Sequence, residues 1–282
     1  EAPPDEACYR ARRDPESDAI RLALDIARAQ MARTPGDRLT WGWEDGVLAT
    51  GLVELYRVTR EPDLLDYLRA WIDRQIEAGY FVTNSDTCPP AYTALLLWRE
   101  TGDARYRAVV DDILNYLYDE AVRTEDGGIN HLGTTSVFGI TLWVDSLFMF
   151  GETLIRLGEQ DGDDRAIDEF AAQYRVFAAH LQEAPGLFKH AWQWALQQDA
   201  DVYWGRGNGW ISASGYDYLR ARALRGETDE AVRESLARHT AAVVASQDPQ
   251  TGLWWTVMNR PGETYLETSA AALFAFGLAR GW

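Results

Sequence analysis

Gly209-Trp210-Ile211-Ser212-Ala213-Ser214-Gly215 carries no charge across about two helical turns. A helix that is small and apolar nearly all round has no face to offer water, so it is a buried one. The stretches near 63–78, 103–120, 163–182 and 228–247 read the opposite way. Each sets Arg, Asp and Glu on one face and apolar residues on the other, as an outer helix does. Helical periodicity dominates the chain and strand alternation is nearly absent. It predicts helices near 16–33, 44–59, 63–78, 90–100, 103–120, 137–157, 163–182, 209–224, 228–247 and 265–280. Ten helices that alternate between outer and inner character predict an all-α fold, an (α/α) toroid of helical pairs. No linker breaks the pattern, so residues 1–282 read as a single domain.

Two internal echoes support the pairing. Leu55-Tyr-Arg-Val-Thr-Arg-Glu61 is followed 42 residues later by Leu97-Trp-Arg-Glu-Thr-Gly-Asp103, each ending an inner helix and starting an outer one. Asp126-Gly-Gly-Ile-Asn-His131, Pro185-Gly-Leu-Phe-Lys-His190 and Thr251-Gly-Leu-Trp-Trp-Thr256 share a glycine followed by an apolar or aromatic run. Such connections gather at one rim of the ring, where functional side chains sit on a rigid scaffold.

Composition narrows the function. The chain is 46% hydrophobic and 25% charged, the balance of a globular protein, and no apolar run approaches the roughly 20 residues of a membrane span. A net charge of −17 argues against nucleic acid or an anionic membrane as partner. An anionic substrate then needs local arginines working against the overall field. Lys189 is the only lysine, which reads as the codon bias of a GC-rich genome. Cys8 and Cys88 are enough for one bridge, but nothing forces it and neither sits in a metal spacing. No signal peptide is visible, although the chain opens at Glu1 rather than Met; the compartment stays open, with the cytoplasm favoured over secretion. Zinc spacings, phosphate loops, dinucleotide fingerprints and nucleophile elbows are missing from the sequence, so the expected chemistry needs no cofactor and no metal.

Trp204-Gly205-Arg206-Gly207-Asn208-Gly209-Trp210 concentrates one cation, one amide and two indoles among three glycines. Glycine permits positive φ and close approach to a ligand, flat rings cover the apolar face of a sugar, and guanidinium grips a carboxylate bidentately. The stretch points to a site for an acidic sugar; the alternative is a glycine-rich turn capping a helix, with Trp210 in the core. Asp145 lies in Val137–Phe150, where ten of fourteen residues are apolar. A carboxylate there is either paired or protonated with a raised pKa, and the second state is what a general acid requires. Thr141, one helical turn earlier, is expected to share its polar face. The alternative is a core aspartate held by backbone or arginine partners. Asp86, in Asn84-Ser-Asp-Thr-Cys-Pro-Pro90, reads equally as a helix N-cap and as the second carboxylate of acid–base sugar hydrolysis. His131 and His190 lie in rim connections and could donate to sugar hydroxyls; His180 and His239 fall inside outer helices and read as structural. Trp43 and Trp143 are candidate cavity walls, although most of the twelve tryptophans must fill the core.

Leu142-Trp-Val-Asp-Ser-Leu-Phe-Met149, the Trp204–Trp210 stretch and Tyr265-Leu-Glu-Thr-Ser-Ala270, in this order, resemble the unsaturated rhamnogalacturonyl hydrolases. These form glycoside hydrolase family 105 and are related to the unsaturated glucuronyl hydrolases; the resemblance runs from about Trp41 to the end. It implies a six-pair (α/α) toroid and removal of a 4,5-unsaturated uronic acid from oligosaccharides left by lyases, pectin rhamnogalacturonan fragments in particular. It also implies hydration of the enol ether rather than attack at the anomeric carbon. Asp145 then matches the acid that protonates C4 and helps activate water for C5, and Asp86 matches the second essential aspartate. Arg206, Trp210, Trp204 and His190 match residues around the uronate, as His131 and Trp143 do less closely; Trp43 and Asn208 complete the expected substrate-binding set. The chain departs from the family in two respects: the connection at 183–203 does not align readily, and five helical pairs are counted, which predicts a ring that is open, closed with five pairs, or completed by a partner chain. An incomplete ring exposes apolar surface and invites a second copy of the chain. The competing readings are another toroid glycosidase or a sugar epimerase acting on saturated substrates, which would use His131 and His190 as paired rim histidines, and a non-catalytic carbohydrate-binding protein.

Overall fold

The structure, a computed structural model, describes residues 17–134, 139–194 and 201–281. Cys8 lies outside the described residues, as do Val137 and Phe138, where one expected helix begins. The chain divides into two compact units, Glu1–Glu120 and Ala121–Trp282. None of the described helices is long and apolar enough to cross a membrane.

The first unit is helical. Its members are α1 (Asp18–Arg33), α2 (Trp43–Thr59), α3 (Pro62–Ala78), α4 (Pro90–Thr101) and α5 (Ala104–Asn115), which runs into a π-helical turn at Tyr116–Glu120. The contrast between inner and outer helices is plain. Every residue of α4 from Pro90 to Leu97 is buried, whereas α3 buries a stripe of Leu64, Tyr67, Leu68, Trp71 and Ile72. Cys88 is buried, and burial, aided by the charge of Asp86, pushes its thiol well above the usual range.

The second unit holds β1 (Leu142–Trp143), α6 (Ser146–Met149), α7 (Gly151–Asp161), α8 (Asp164–Leu181), β2 (Ala191–Trp192), α9 (Gly205–Leu224), α10 (Glu230–Ala245) and α11 (Thr268–Arg280). The long helix expected over 137–157 is not formed. Its place is taken by β1, the short α6 and then α7, because Leu142 and Trp143 pair antiparallel with Trp192 and Ala191. The helix expected from 209 starts earlier, at Gly205. Helices α9 and α11 come together through glycines: a Cβ on Gly277 would lie 2.5 Å from the Ser212 carbonyl oxygen, and one on Gly209 would lie 2.8 Å from Leu273 Cβ.

The two sequence echoes are structural. Gly102 and Arg60 end α4 and α2 in the left-handed conformation, and the next residue, Asp103 or Glu61, precedes the following helix. Gly162 and Asp163 do the same between α7 and α8, with the Asp163 carboxylate accepting from Ala166 N at 3.0 Å. In the three glycine-led connections Gly127, Gly186 and Gly252 all take positive φ, at 93°, 103° and 73°. Each closes with one matching backbone bond: Thr124 N to Gly128 O, Glu183 N to Leu187 O, and Asp248 N to Leu253 O.

His239 sits fully buried on α10 between Phe188 and Phe274, and neither ring nitrogen has a hydrogen-bond partner. Burial pushes its imidazole from 6.5 down to about 3. The unfolded chain therefore takes up a proton below pH about 6.5 that the folded chain refuses, and stability falls as pH drops from there toward 3. At about 1.4 kcal/mol per pK unit, His239→Leu is expected to gain roughly 2 kcal/mol on the parent between pH 7 and pH 5. Urea midpoints at both pH values measure this, and a stability difference that ignores pH refutes it.

Candidate active site

The short ladder brings the expected acid to a histidine. Asp145 follows β1 by two residues and His190 immediately precedes β2, and Val144 N donates to the His190 carbonyl at 3.0 Å. Asp145 Oδ2 then lies 3.3 Å from His190 Nε2. The Asp145 side chain is 14% exposed, and its Oδ2 is buried without a hydrogen-bond partner. No arginine ion pair neutralises it among the described residues. Thr141 does not share a helix face with Asp145. It immediately precedes β1, donates to Trp192 O at 2.8 Å and accepts from Trp143 Nε1 at 3.0 Å.

Trp143 is framed by aromatic rings: His131 stacked at 4.1 Å, Trp194 edge-on at 4.9 Å and His190 tilted at 5.0 Å. His131 is 3% exposed, and its Nδ1 lies 3.0 Å from Ser146 Oγ. The rim position expected for His131 is therefore corrected: it backs Trp143 from the core side. His190, by contrast, is half-buried.

The glycine-rich stretch is a helix start, not a loop. Trp204 is the residue before α9, and none of Gly205, Gly207 and Gly209 has positive φ. Their missing side chains serve close packing. A Cβ on Gly207 would fall 2.9 Å from the Trp204 ring and 3.0 Å from Val144, and one on Gly205 would fall 3.0 Å from Trp255 O. Asn208 is buried and fully engaged: its Oδ1 accepts from Phe188 N at 2.8 Å, and its Nδ2 donates to Phe188 O and Trp204 O, both at 3.0 Å. It bolts the His190 connection to α9 and has no amide proton left for a sugar. Trp210 is core, packed 4.7 Å from Phe148. Both residues stand behind the site instead of facing substrate.

Arg206 lies in the first turn of α9. Its guanidinium sits 4.3 Å over the Trp204 ring and donates to Glu267 Oε1 at 2.7 Å. The arginine side chain is 32% exposed and that of Glu267 only 5%. Glu267 belongs to the Tyr265–Ala270 motif, and its partner lies 61 residues away, so no local spacing signals the pair. With His190 at 5.0 Å from Trp204, one run of contacts now links Asp145, His190, Trp204, Arg206 and Glu267. It contains a carboxylate beside an imidazole and a partly open guanidinium, the parts needed to hold an anionic ring and move a proton.

In the first unit, Asp86 occupies a 3₁₀ turn over Ser85–Thr87, whose Thr87 hydroxyl accepts from Thr83 N at 3.1 Å and donates to Asn84 O at 2.7 Å. The residue capping α4 is Pro89, without a side-chain bond, so Asp86 is not that helix's N-cap. Trp43 opens α2 and is half-buried. No group of three or more potential metal ligands gathers among the described residues.

The sequence profile described as Glycosyl Hydrolase Family 88 matches residues 23–282. The chain belongs to that family. This family 88 chain is 29% identical, over 242 residues, to the unsaturated rhamnogalacturonyl hydrolase YesR of Bacillus subtilis, a match that covers 84% of the chain and 70% of the relative. A solved structure from Salmonella enterica described as a possible GH105 member shares its fold with a TM-score of 0.80 at 24% identity, over 95% of this chain and 77% of the other. The unsaturated glucuronyl hydrolase of Bacillus sp. GL1 aligns with a TM-score of 0.73 at 18% identity, over 93% and 76%. The fold class is thus the all-α toroid class expected from the sequence, and the family 88 chain is a glycoside hydrolase.

Proposed function

We propose that this glycoside hydrolase removes a 4,5-unsaturated uronic acid from the end of lyase-generated oligosaccharides, with rhamnogalacturonan fragments as the preferred class. The observation that carries the reading is Asp145, a carboxylate with one buried, unbonded oxygen beside His190, joined through Trp204 to the cation of Arg206. Family membership and the similarity to YesR support it from the other side.

Arg206 takes the uronate carboxylate, and the indoles of Trp143 and Trp204 flank the ring. Asp145 delivers a proton to C4 of the enol ether, which leaves positive charge shared between C5 and the ring oxygen. Water adds to C5 and loses a proton to the Asp145 carboxylate, so the acid is restored. The resulting C5 hemiketal opens, the hemiacetal then formed at C1 collapses, and the aglycone leaves as an alcohol; one water is consumed overall. His190 lies where it can hold the Asp145 carboxylate between the two transfers. Asp86 is assigned the second acid by the family resemblance. The saturated-substrate epimerase reading loses support, since His131 is buried behind Trp143.

The test is direct. Purified protein is expected to bleach the ultraviolet absorbance of an unsaturated rhamnogalacturonan disaccharide and to leave its saturated counterpart intact. Unchanged absorbance with both that disaccharide and an unsaturated glucuronyl disaccharide overturns the proposal.

A further inference from the structure

We infer that Glu267 is a positioning residue for Arg206: it fixes the guanidinium against Trp204 so that the free N–H edge is already oriented when the substrate carboxylate arrives. The inference rests on the reading of Arg206 as the uronate-binding cation.

Three features carry it. First, Glu267 is nearly inaccessible yet ionisable, and its Oε1 receives both Arg206 at 2.7 Å and the Ser269 hydroxyl at 2.6 Å, while its Oε2 is buried and unbonded. A carboxylate in such a place needs its cation, and the position just ahead of α11 adds the favourable end of a 13-residue helix. Second, both partners hang from one backbone segment. Glu267 N donates to Trp254 O at 2.8 Å, Gly205 N donates to Thr256 O at 2.8 Å, and isolated bridges join Trp255 to Leu266 and Trp204 to Val257. The spacing of Arg206 from Glu267 is therefore set by main chain, not by two wandering side chains. Third, the Arg206–Glu267 bond uses one of five guanidinium N–H groups, which leaves a planar fork for a second carboxylate.

An arginine held on one edge and one face loses little freedom on binding, so its contribution appears as affinity. Glu267 reaches the reacting atoms only through Arg206. Substitution should therefore move KM and leave kcat nearly unchanged.

The experiment is a double-substitution cycle on the unsaturated rhamnogalacturonan disaccharide. Glu267→Gln is expected to raise KM about tenfold with kcat within about threefold, and to change KM by less than about twofold in an Arg206→Gln background. An unchanged KM overturns the inference, as does the same tenfold effect in both backgrounds or a fall confined to kcat. Should Glu267→Gln fail to fold, Ser269→Ala replaces it. That change loosens Glu267 without touching Arg206, and a KM rise of about threefold is expected, with an unmoved KM counting against the claim. If the parent protein is inert on both disaccharides, the functional reading fails instead. Positioning is then decided by crystal structures of the parent and of Glu267→Gln: Arg206 leaving the Trp204 face supports it, and an unmoved Arg206 overturns it.

Discussion

Asp145→Asn is expected to lower kcat on an unsaturated uronide by about 10²–10⁴-fold, the range attached to loss of a general acid or base. Asparagine keeps the shape of the side chain and can still meet His190 Nε2, which lies 3.3 Å from the present Oδ2. What it lacks is a proton of carboxylic acidity for C4 and a basic oxygen to receive one from water. The substitution leaves the ladder residues Leu142 and Trp143 and the packing around Val144 in place, so the thermal midpoint should shift by no more than a few degrees. Initial rates of absorbance loss, read beside a melting curve, make the measurement. A variant that is well folded and retains more than about a tenth of the parent rate removes Asp145 from the proton transfers.

Arg156→Met is expected to be the most damaging single change away from the site. Arg156 is fully buried on α7, where its guanidinium meets Glu152 at 3.3 Å, Glu159 at 2.6 Å and Asp217 of α9. Arg220 pairs with Asp217 at 2.8 Å and Glu159 at 2.6 Å, and Arg280 at the end of α11 comes within 3.1 Å of Asp217. Arg156, Arg220 and Arg280 thus face Glu152, Glu159 and Asp217 at positions with little solvent exposure. Burial pushes the Glu159 carboxyl up, but Arg156 and Arg220 outweigh it and hold the group below the usual carboxylate range. Methionine fills much of the volume and supplies no charge, so Glu152, Glu159 and Asp217 lose a buried cation they share, at a cost of about 3–5 kcal/mol. A fall of roughly 10 °C in Tm is the corresponding readout, given about 2–4 °C per kcal/mol in chains of 150–250 residues. A shift below about 2 °C would mean that the cluster is already open to water.

Much of this architecture could be read from the amino acids because short-range rules demand particular residues. The turn from an inner to an outer helix needs a left-handed residue followed by a cap, and Gly102-Asp103 and Gly162-Asp163 supply both. The three rim connections need positive φ at one place, and Gly127, Gly186 and Gly252 mark it. The apolar run around Asp145 was different. A buried strand and a buried helix are alike in composition, and what decides between them is pairing with Ala191 and Trp192, some fifty residues further on. The glycines of the Arg206 stretch were legible as a demand for closeness but not for its object, which is Val144, the Trp204 ring, Trp255 and Leu273 rather than a ligand. For the same reason Asn208 and Trp210 looked like sugar contacts although they serve the scaffold. Glu267 stayed hidden because a charge beside Thr268 and Ser269 resembles any solvated helix start until its distant arginine is located.

The encounter of Asp145 with His190 depends on a β-ladder only two residues long on each side. Helices α7, α8 and α9 are held chiefly by their own apolar faces and by the buried charges. Warmth or mild denaturant can unzip two rungs while every helix stays wound, since proteins open first where the fewest contacts must yield. The working life of the enzyme is then rationed by its smallest element, and residual turnover, not ellipticity, is the gauge that reports it.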